Sequence, residues 1–510
     1  MQSILVIGAG PAGLTAAYKL LQAGDVRVTV LEESRTVGGI SRTVNVDGDR
    51  MDLGGHRFFS KDEQVTALWR ELLPCQGAAS YDDAKLNRES RTEPGGPDPE
   101  KTDDVMLLRH RVSRIYYKGK FFDYPISMSV KTIRNMGLGD TMAAGFSYLG
   151  SMVRKKPETN LENFYINRFG KRLYSMFFEG YTEKLWGRHP SRIAADWGAQ
   201  RVKGLSILAV LKNMLSPGKT KETSLIEEFM YPKHGPGQLW ETMADRVRDM
   251  GGEILFGCRV TGVSEDCRTV RYTENGAEKT IECDKLVSSM PLAQLVCGMD
   301  GVPEDVRRIA AELPFRDFIT VGLLVDRLAL KNETNIPTLG NIVPDCWIYV
   351  QDTGVDLGRI QIFNNWSPYM LNDPDNTVWI GLEYFCREGD ALWRMDEPAF
   401  VKKAVAELER IGVLSPGQTV RKSHLEHVRK AYPAYFDSYD QIDRVIEFLN
   451  TKDALFCVGR NGQHRYNNMD HSMATAFEAA RCILRGETDK TALWNVNTEQ
   501  SYHEEKRDED

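Results

Sequence analysis

The residues best suited to chemistry stand at the start of the chain, where glycine recurs at short spacing. Gly8, Gly10 and Gly13 occur in the run GAGPAG, and the acidic residue Glu32 follows an apolar stretch. Gly8 would allow a tight turn, Gly10 would let the backbone approach a pyrophosphate, and Gly13 would let a helix pack closely on a strand. A carboxylate at Glu32 would accept hydrogen bonds from ribose hydroxyls, so the spacing predicts a bound dinucleotide. The further cofactor contacts predicted in this stretch are Ala12 and Glu33.

The elements needed to position these residues are present in the sequence. Residues 4–7 predict a buried parallel strand, residues 14–22 a helix, and residues 26–31 a second strand. In such a strand–helix–strand unit the N-terminus of the helix presents unpaired N–H groups to the phosphates. The alternative is a glycine-rich turn in an ordinary α/β protein, but that alternative does not account for strand, helix and acid together.

A second glycine pair favours FAD over a nicotinamide cofactor. Gly38 and Gly39 follow the second predicted strand, and Arg42 stands just beyond them. The pair suits another close approach of backbone to phosphate, which a long, buried FAD needs more than an exchangeable nicotinamide does. The pattern resembles the amine-oxidase-like FAD superfamily, and this resemblance implies FAD.

Length and composition exclude several classes of protein. The chain has 510 residues and a net charge of -7, which argues against a nucleic-acid partner. It contains no apolar run of 18 residues, so we expect no transmembrane segment. Met1 is followed almost at once by the first strand, so we expect no leader peptide. The nine cysteines form no CxxC pattern, which predicts reduced thiols, no metal site and a cytoplasmic protein.

The remaining sequence predicts an α/β fold assembled from discontinuous segments. We expect a Rossmann-like FAD-binding domain, an inserted helical domain and a substrate domain with an antiparallel β-sheet. Residues 85–104 are polar and rich in proline and glycine, which predicts a flexible insertion, and residues 486–510 form a charged tail. The predicted FAD-binding domain comprises residues 1–84, 231–300 and 445–485, the mostly helical domain residues 105–230, and the substrate domain residues 301–444.

Several motifs together resemble the UDP-galactopyranose mutases, most nearly those of the eukaryotic type. The C-terminal stretch GRNGQHRYNNMDHS begins at Gly459, where a strand is predicted to end. Other motifs occur in the same order as in that family. They are GGH at residues 54–56, RVS at 111–113, YTEKLW at 181–186, CWIY at 346–349, RIQIFNNWSPY at 359–369 and YP at 432–433.

For the cofactor, the resemblance implies a site formed by both ends of the chain. His56 would lie against the flavin and respond to its redox state. A helix capped near Asp470 or Ser472 would direct N–H groups at the flavin edge or a phosphate. The further FAD contacts that the resemblance implies are Gly55, Arg111, Val260, Gly459 and His471.

For the substrate, the resemblance implies a clamp on a diphosphate. Arg359 and Arg460 would bind the phosphates, because a guanidinium group forks onto phosphate oxygens and stays charged. With His56 and Arg201 they form the expected catalytic group. Tyrosine hydroxyls would donate to the same phosphates, at Tyr349, Tyr432 and Tyr466. The other implied contacts are Phe177, Thr182 and Trp186 at the nucleotide, Asn468 and Arg201 at the sugar, and Trp366 near the phosphates.

Two of these positions depart from the family pattern. Thr182 stands where the family has asparagine, and Trp366 stands where it has tyrosine, so one phosphate-binding hydroxyl is missing. These differences affect the expected nucleotide and sugar more than the expected flavin.

The activity that the resemblance implies is interconversion of the pyranose and furanose forms of a UDP-hexose, with UDP-galactose as the model substrate. Reduced FAD would attack the anomeric carbon through N5, expel the nucleoside diphosphate and form a flavin–sugar adduct that recloses in the other ring size. NAD(P)H would serve as the reductant. The sequence is also compatible with a homo-oligomer.

Two alternatives remain open at this point. The first is an amine-oxidase-like FAD oxidoreductase, namely an oxidase, dehydrogenase or desaturase acting on an apolar, lipid-linked or sugar substrate. Such an enzyme would not need an anion clamp, so Arg359 and Arg460 distinguish it from a mutase. The second alternative is a flavin-binding module without activity, which would not need the polar groups of the expected site.

Overall fold

The N-terminal unit forms the centre of a five-stranded parallel sheet. A computed structural model describes residues 1–124, 126, 130–195 and 228–496, and the structural statements below concern these residues. Four successive apolar residues of the first strand, from Ile4 to Ile7, are buried, as expected where helices cover both faces of a parallel sheet. In spatial order the strands are β19 (Leu455–Cys457), β13 (Lys285–Ser288), β1 (Gln2–Ile7), β2 (Val26–Glu32) and β9 (Glu253–Phe256).

Helix α1 (Pro11–Gln22) follows β1 and packs between α8 (Gly237–Asp249) and α15 (Met469–Arg485). Pro11 at the first helical position costs no hydrogen bond, because the N–H of that position has no partner within a helix. Leu14 and Leu20 of α1 are buried in one apolar cluster with residues of β1 and α15. This cluster fixes the N-terminus of α1 against the C-terminal helix.

A seven-stranded sheet carries most of the residues expected to bind substrate. Neighbouring strands run antiparallel except β15 and β6, which run parallel. β16 and β17 are buried along their whole length, so this part of the sheet is covered on both faces. In spatial order the strands are β18 (Val420–Pro433), β14 (Phe315–Val325), β17 (Val378–Cys386), β16 (Arg359–Ile362), β15 (Trp347–Val350), β6 (Ser113–Tyr117) and β7 (Lys120–Asp123).

Shorter sheets and further helices complete the described part of the chain. The other strands are β3 (Thr43–Val46) paired with β4 (Asp49–Asp52), β5 (Met106–His110) paired with β8 (Glu228–Pro232), and the sheet of β10 (Cys258–Val263), β11 (Thr269–Glu274) and β12 (Ala277–Glu282). The other helices are α2 (Glu63–Leu72), α3 (Tyr81–Leu86), α4 (Val130–Met136), α5 (Leu138–Val153), α6 (Leu161–Phe177), α7 (Glu179–Trp186), α9 (Leu292–Gly298), α10 (Glu304–Ala311), α11 (Phe363–Trp366), α12 (Glu397–Arg410), α13 (Ile442–Asn450), α14 (Gly459–Gly462) and α16 (Thr491–Asn495).

The predicted fold class is confirmed. The structure has a discontinuous parallel sheet, a large antiparallel sheet and the helices α4 to α7 between their segments. The hairpin β6–β7 joins the seven-stranded sheet, although the sequence grouped it with residues 105–230 as part of a mostly helical domain. The domain boundaries therefore stay predictions. None of the described helices is long and apolar enough to cross a membrane.

Residues 85–104, predicted as a flexible insertion, contact the body of the protein. The Nζ of Lys233 donates to the carbonyl oxygens of Pro99 at 2.8 Å and Thr102 at 3.1 Å, and lies 2.7 Å from the Asp103 carboxylate. Lys233 is itself buried. A distant buried cation thus satisfies carbonyl groups that a proline-rich segment cannot pair internally, and composition alone does not reveal such a partner.

Candidate active site

The first glycine cluster forms a close backbone contact between β1 and α1. Gly8 has a φ of +95°, a conformation that side chains with a Cβ rarely adopt. A Cβ added to Gly13 would lie 1.8 Å from the carbonyl oxygen of Gly8. Strand and helix therefore approach as closely as the glycine motif predicted, and the N–H groups at the start of α1 remain accessible to a phosphate.

The second glycine pair lies directly beside the first cluster. The N–H of Gly38 donates to the carbonyl oxygen of Ala9 at 2.8 Å, and Gly38 has a φ of +97°. A Cβ on Gly39 would meet the Cα of Gly10 at 3.4 Å. The two loops therefore form one backbone surface without side chains, which we call the glycine cradle (Gly8, Gly10, Gly13, Gly38 and Gly39).

The acidic and basic residues near the glycine cradle have defined partners. Glu32 accepts hydrogen bonds from the N–H groups of Ala9 at 2.7 Å and Ser34 at 2.8 Å, so its carboxylate is held at the mouth of the first loop. Arg42 donates to the carbonyl oxygen of Gly39 at 3.2 Å and pairs with Glu426 at 3.0 Å. Arg42 thus braces the second loop. Glu33 is exposed and lies 3.5 Å from Arg259.

A loop near the C-terminus closes the glycine cradle. A Cβ on Gly459, whose φ is +76°, would lie 2.7 Å from the Cβ of Ala12 in α1. The N–H of Gly459 donates to Thr475 Oγ1 at 2.8 Å. Residues from opposite ends of the sequence therefore meet at the start of α1, as the cofactor prediction required.

The N-terminus of α15 is fixed by several polar contacts. Ser60 donates to Asp470 Oδ2 at 2.9 Å, and His471 Nδ1 lies 3.1 Å from Asp470 Oδ1. Ser472 donates to the side-chain oxygen of Asn467 at 2.9 Å. The predicted helix start is thus found within a few residues, at Met469, and its first turn faces the Gly459 loop.

The predicted arginine and tyrosine residues converge in one group beside the seven-stranded sheet. Arg359 Nη2 donates to the hydroxyl of Tyr432 at 2.8 Å. The guanidinium of Arg460 lies over the rings of Tyr432 at 4.9 Å and Tyr466 at 4.4 Å, and these two rings are stacked. Residues from β16, β18 and the Gly459 loop therefore form one cationic group, although 101 sequence positions separate the two arginines.

Tyr349 completes this group, which we call the arginine–tyrosine group (Arg359, Arg460, Tyr349, Tyr432 and Tyr466). Tyr349 lies opposite Arg359 in the β15–β16 register and stacks on Tyr124 at 4.5 Å. Burial raises the pKa of Tyr432 to about 12 and the pKa of Tyr349 well above its ordinary value. Both hydroxyls therefore stay protonated at neutral pH and are able to donate hydrogen bonds.

Sequence reasoning missed the buried carboxylate beneath Arg359. Glu383 has no exposed surface, and its Oε2 lies 3.3 Å from Arg359 Nε. Gln361 donates to the other oxygen at 3.2 Å. Burial raises the pKa of Glu383, and the charge of Arg359 opposes that effect. A charged residue within the apolar run VWIGLEYFC was the available signal.

Lys184 is a second residue that the sequence did not single out. Its Nζ donates to the carbonyl oxygens of Asp352 at 2.7 Å and Leu357 at 3.0 Å, in the turn between β15 and β16. Burial lowers the pKa of Lys184 to about 8. The lysine anchors the hairpin that presents Tyr349 and Arg359.

His56 lies where the cofactor and substrate predictions meet. Burial, and next the charge of Arg460, lower the pKa of His56 to about 4, so its ring is neutral at pH 7. Its Nδ1 is buried and has no hydrogen-bond partner within the described part of the chain. A Cβ on the preceding residue, Gly55, would lie 1.5 Å from the ring of Trp347. The Trp347 indole therefore lies directly against the Gly55 backbone, and this backbone, the indole and the neighbouring His56 form one wall of the site.

Three residues predicted as substrate contacts are packed in the protein interior, and their contact with a substrate stays a prediction. Trp366 is fully buried and donates through Nε1 to the carbonyl oxygen of Cys346 at 2.8 Å, in a separate apolar cluster. Phe177 packs on Phe122 at 5.0 Å, and Trp186 is 2% exposed. These large side chains fill the core, because apolar burial requires the same residue types as nucleotide stacking.

The other predicted residues lie in several parts of the structure. Thr182 is buried within α7, and Asn468 is exposed at the N-terminus of α15. Val260 is half-buried on β10, beside a break in the register with β11. The positive charge of Arg111 acts on the hydroxyl of Tyr349. Arg201 lies outside the described residues.

The glycine cradle, the closing helix α15 and the wall at His56 fit the binding of a flavin dinucleotide by an α/β enzyme. The glycines of the cradle place no side chain in the way of a pyrophosphate, and the buried Nδ1 of His56 has no hydrogen-bond partner among the described residues. The chain belongs to the flavin containing amine oxidoreductase family, whose model matches residues 11–484. It is accordingly an FAD-dependent enzyme.

Curated relatives with oxidase names match part of this chain. The chain is 40% identical to coproporphyrinogen III oxidase of Mycobacterium tuberculosis over 73 residues, which are 14% of this chain and 16% of that enzyme. It is 24% identical to mitochondrial protoporphyrinogen oxidase of Nicotiana tabacum over 279 residues, which are 53% of this chain and 48% of that enzyme. The chain therefore matches less than half the length of either relative.

Solved structures with the same fold cover nearly the whole chain. A structure of reduced UDP-galactopyranose mutase has a TM-score of 0.79 at 20% identity and covers 98% of this chain and 99% of that chain. A structure of putrescine oxidase bound to putrescine has a TM-score of 0.57 at 13% identity, with 95% of this chain and 99% of that chain covered. At these identities the likeness shows the fold alone.

Proposed function

We propose that this enzyme interconverts the pyranose and furanose forms of a nucleoside diphosphate hexose, with UDP-galactose as the first substrate to test. The observation that carries the proposal is the arginine–tyrosine group beside His56. Two guanidinium groups from distant parts of the chain meet three tyrosines there. A diphosphate that leaves the sugar and later returns to it must stay bound throughout, and such a group would hold it.

The charges near the group fit an anionic ligand. Glu383 neutralises the charge of Arg359 in part and orients its guanidinium, while Arg460 contributes a second positive charge. Tyr432 accepts its hydrogen bond from Arg359, so the hydroxyl proton remains available to a ligand oxygen. These residues would bind and orient the diphosphate without a protein acid or base.

The neutral ring of His56 fits a position beside the flavin. The two nearby arginines disfavour protonation of His56, so its imidazole stays neutral. A neutral imidazole offers one hydrogen-bond donor nitrogen and one acceptor nitrogen. Bound FAD in its reduced form would supply the nucleophile for the anomeric carbon. The role of the chain is to hold sugar and diphosphate against that wall and to exclude water.

An FAD-dependent oxidation is the second candidate. Its support is that the sequence relatives named above are oxidases and that aromatic rings surround Arg359, including Trp347 at 4.9 Å and Phe385 at 4.7 Å from the guanidinium carbon. Such walls also suit a planar apolar substrate. The favourable cation–π contacts and Glu383 would then stabilise Arg359 without an anionic ligand.

One experiment distinguishes the two functions. Enzyme reduced with dithionite is incubated anaerobically with UDP-galactose, and the nucleotide sugars are separated by chromatography. We expect UDP-galactofuranose to form with reduced enzyme and not with oxidised enzyme. A parallel sample of oxidised enzyme is incubated with UDP-galactose in air. If that sample oxidises the substrate and releases hydrogen peroxide, and neither sample changes the ring size, the mutase proposal is refuted.

Substitutions test whether the arginines act as proposed. Arg359→Lys and Arg460→Lys keep the positive charge but lose the guanidinium group that can bind a phosphate through two nitrogens. Each variant should therefore slow ring interconversion by at least about tenfold. The matched control is Arg429→Lys, because Arg429 is an exposed arginine paired with Glu388 at 3.2 Å. If all three variants interconvert the sugars equally well, the proposed clamp is wrong.

A further inference from the structure

Helix α5 exposes an apolar face that no described residue covers. Phe146 is 70% exposed and Leu149 is 57% exposed, both unusual for large apolar side chains. Most of the large apolar side chains that the described residues expose lie between Val130 and Val153. We call this set the α5 face, and its members are Val130, Leu138, Met142, Phe146, Leu149, Met152 and Val153.

The spacing places most of these residues on one side of the helix. Leu138, Met142, Phe146, Leu149 and Val153 recur at intervals of three or four residues, which is the period of a helical stripe. The opposite side packs on α6, where a Cβ on Gly170 would lie 2.7 Å from the backbone nitrogen of Tyr148. The apolar stripe is thus a second, outward surface of a helix whose inner surface is already packed.

Basic residues border the α5 face at both ends. Lys131 and Arg134 stand before Leu138, the first residue of the stripe on α5, and residues 154–156 (Arg-Lys-Lys) follow Val153, all with exposed side chains. Residues 130–172 contain eight Lys and Arg against three Asp and Glu, whereas the whole chain has a net charge of -7. Two of the three acids are paired, Asp140 with Arg172 and Glu158 with Arg168.

We propose that the α5 face docks on an anionic lipid surface. An apolar stripe with lysine and arginine at its margins matches the boundary between acyl chains and negatively charged headgroups. A second copy of the chain would fit less well, because it would bring two positively charged margins together. The helix has 16 residues, which is too short to span a bilayer and sufficient to lie in its surface.

Helix α4, which carries Val130 of the α5 face, is connected to the arginine–tyrosine group through β7. Asn135, at the end of α4, donates to the carbonyl oxygen of Phe121 in β7 at 2.7 Å, and Lys120 donates back to the carbonyl oxygen of Asn135 at 2.9 Å. β7 leads directly to Tyr124, which stacks on Tyr349. The surface and the site are therefore joined through one short strand.

Vesicle sedimentation of the FAD-loaded full chain tests the proposal. We expect the protein to pellet with phosphatidylcholine vesicles containing about 30% phosphatidylglycerol and to stay in solution with phosphatidylcholine alone. Salt at about 0.5 M should weaken the binding, because it screens the basic margins. The double variant Phe146→Glu, Leu149→Glu should bind at least about tenfold more weakly.

The control variant carries the same charges elsewhere. Ile336→Glu, Leu484→Glu alters two exposed apolar residues outside the α5 face and should bind like the wild type. The proposal is overturned if the wild-type protein binds neither kind of vesicle, or if both double variants bind equally well. It is also overturned if light scattering without lipid shows a dimeric wild type and a monomeric α5 variant. Flavin absorbance and ring interconversion are measured without vesicles, so their outcome is independent of this one.

Discussion

Arg359 and Glu383 face each other across neighbouring strands, with Nε of the arginine 3.3 Å from Oε2 of the glutamate. They are register partners of β16 and β17, and the carboxylate has no exposed surface. A buried ion pair contributes little net stability, but the loss of one partner leaves an uncompensated charge. Glu383 therefore holds Arg359 of the proposed diphosphate clamp in place. A substitution of Glu383 should change both the stability of the protein and the charge balance at Arg359.

Glu383→Gln removes the buried counter-charge of Arg359. We expect the free energy of unfolding to fall by about 3 to 5 kcal/mol, measured by chemical denaturation. UDP should raise the melting temperature more in this variant than in the wild type, because an anion would then replace the lost carboxylate. Glu388→Gln is the control, since its pair with Arg429 is exposed and contributes about 1 kcal/mol or less. Equal losses in both variants would contradict the prediction.

Tyr432→Phe removes a hydroxyl whose proton is available to a ligand. Affinity of the reduced enzyme for UDP, measured by titration calorimetry, should fall about fivefold, which corresponds to one hydrogen bond of about 1 kcal/mol. Tyr116→Phe is the matched control, because the Tyr116 hydroxyl donates to the carbonyl oxygen of Ile411 at 2.7 Å. Unchanged affinity for UDP in the Tyr432 variant would show that the Tyr432 hydroxyl does not bind this ligand.

Gly13→Ala adds a methyl carbon that would lie 1.8 Å from the carbonyl oxygen of Gly8. Strand and helix would have to separate, so the purified variant should contain little FAD, measured as visible flavin absorbance per protein. Gly145→Ala is the control, because a Cβ there meets nothing within 4 Å. Full flavin content in the Gly13 variant would show that the cofactor does not depend on this contact.

His464 makes the protein sensitive to acid. The residue is fully buried, and burial lowers its pKa from 6.5 to about 4. The unfolded chain binds a proton below pH 6.5 while the folded chain does not, so stability is complete above pH 6.5 and is lost as the pH falls towards 4. The loss is at most about 3 kcal/mol. Between neutral pH and pH 4.5, the melting temperature of His464→Gln should fall less than that of the wild type. An identical fall in both proteins would exclude His464 as a cause of the acid sensitivity.

The sequence predicts best those features that depend on local spacing. The glycine cradle and the start of α15 require particular residues within a few positions, and both are found where the motifs place them. Glu383, Trp347 and Lys184 act through contacts with distant segments. A local pattern such as the charge within VWIGLEYFC marks the position of Glu383 but does not identify its partner. Trp366 lies in a separate apolar cluster, and composition does not distinguish an indole that fills the core from one that stacks on a ligand.

The central strand β1 lies between β2 and β13, and β19 completes the sheet from residues 455–457. The flavin site is closed by Gly459 and α15, which follow the glycine motif by more than 400 residues. The nascent protein therefore contains the glycine motif long before it can retain the cofactor. Flavin capture should be a late folding event that follows long-range pairing, and its rate should limit the appearance of active enzyme in cells.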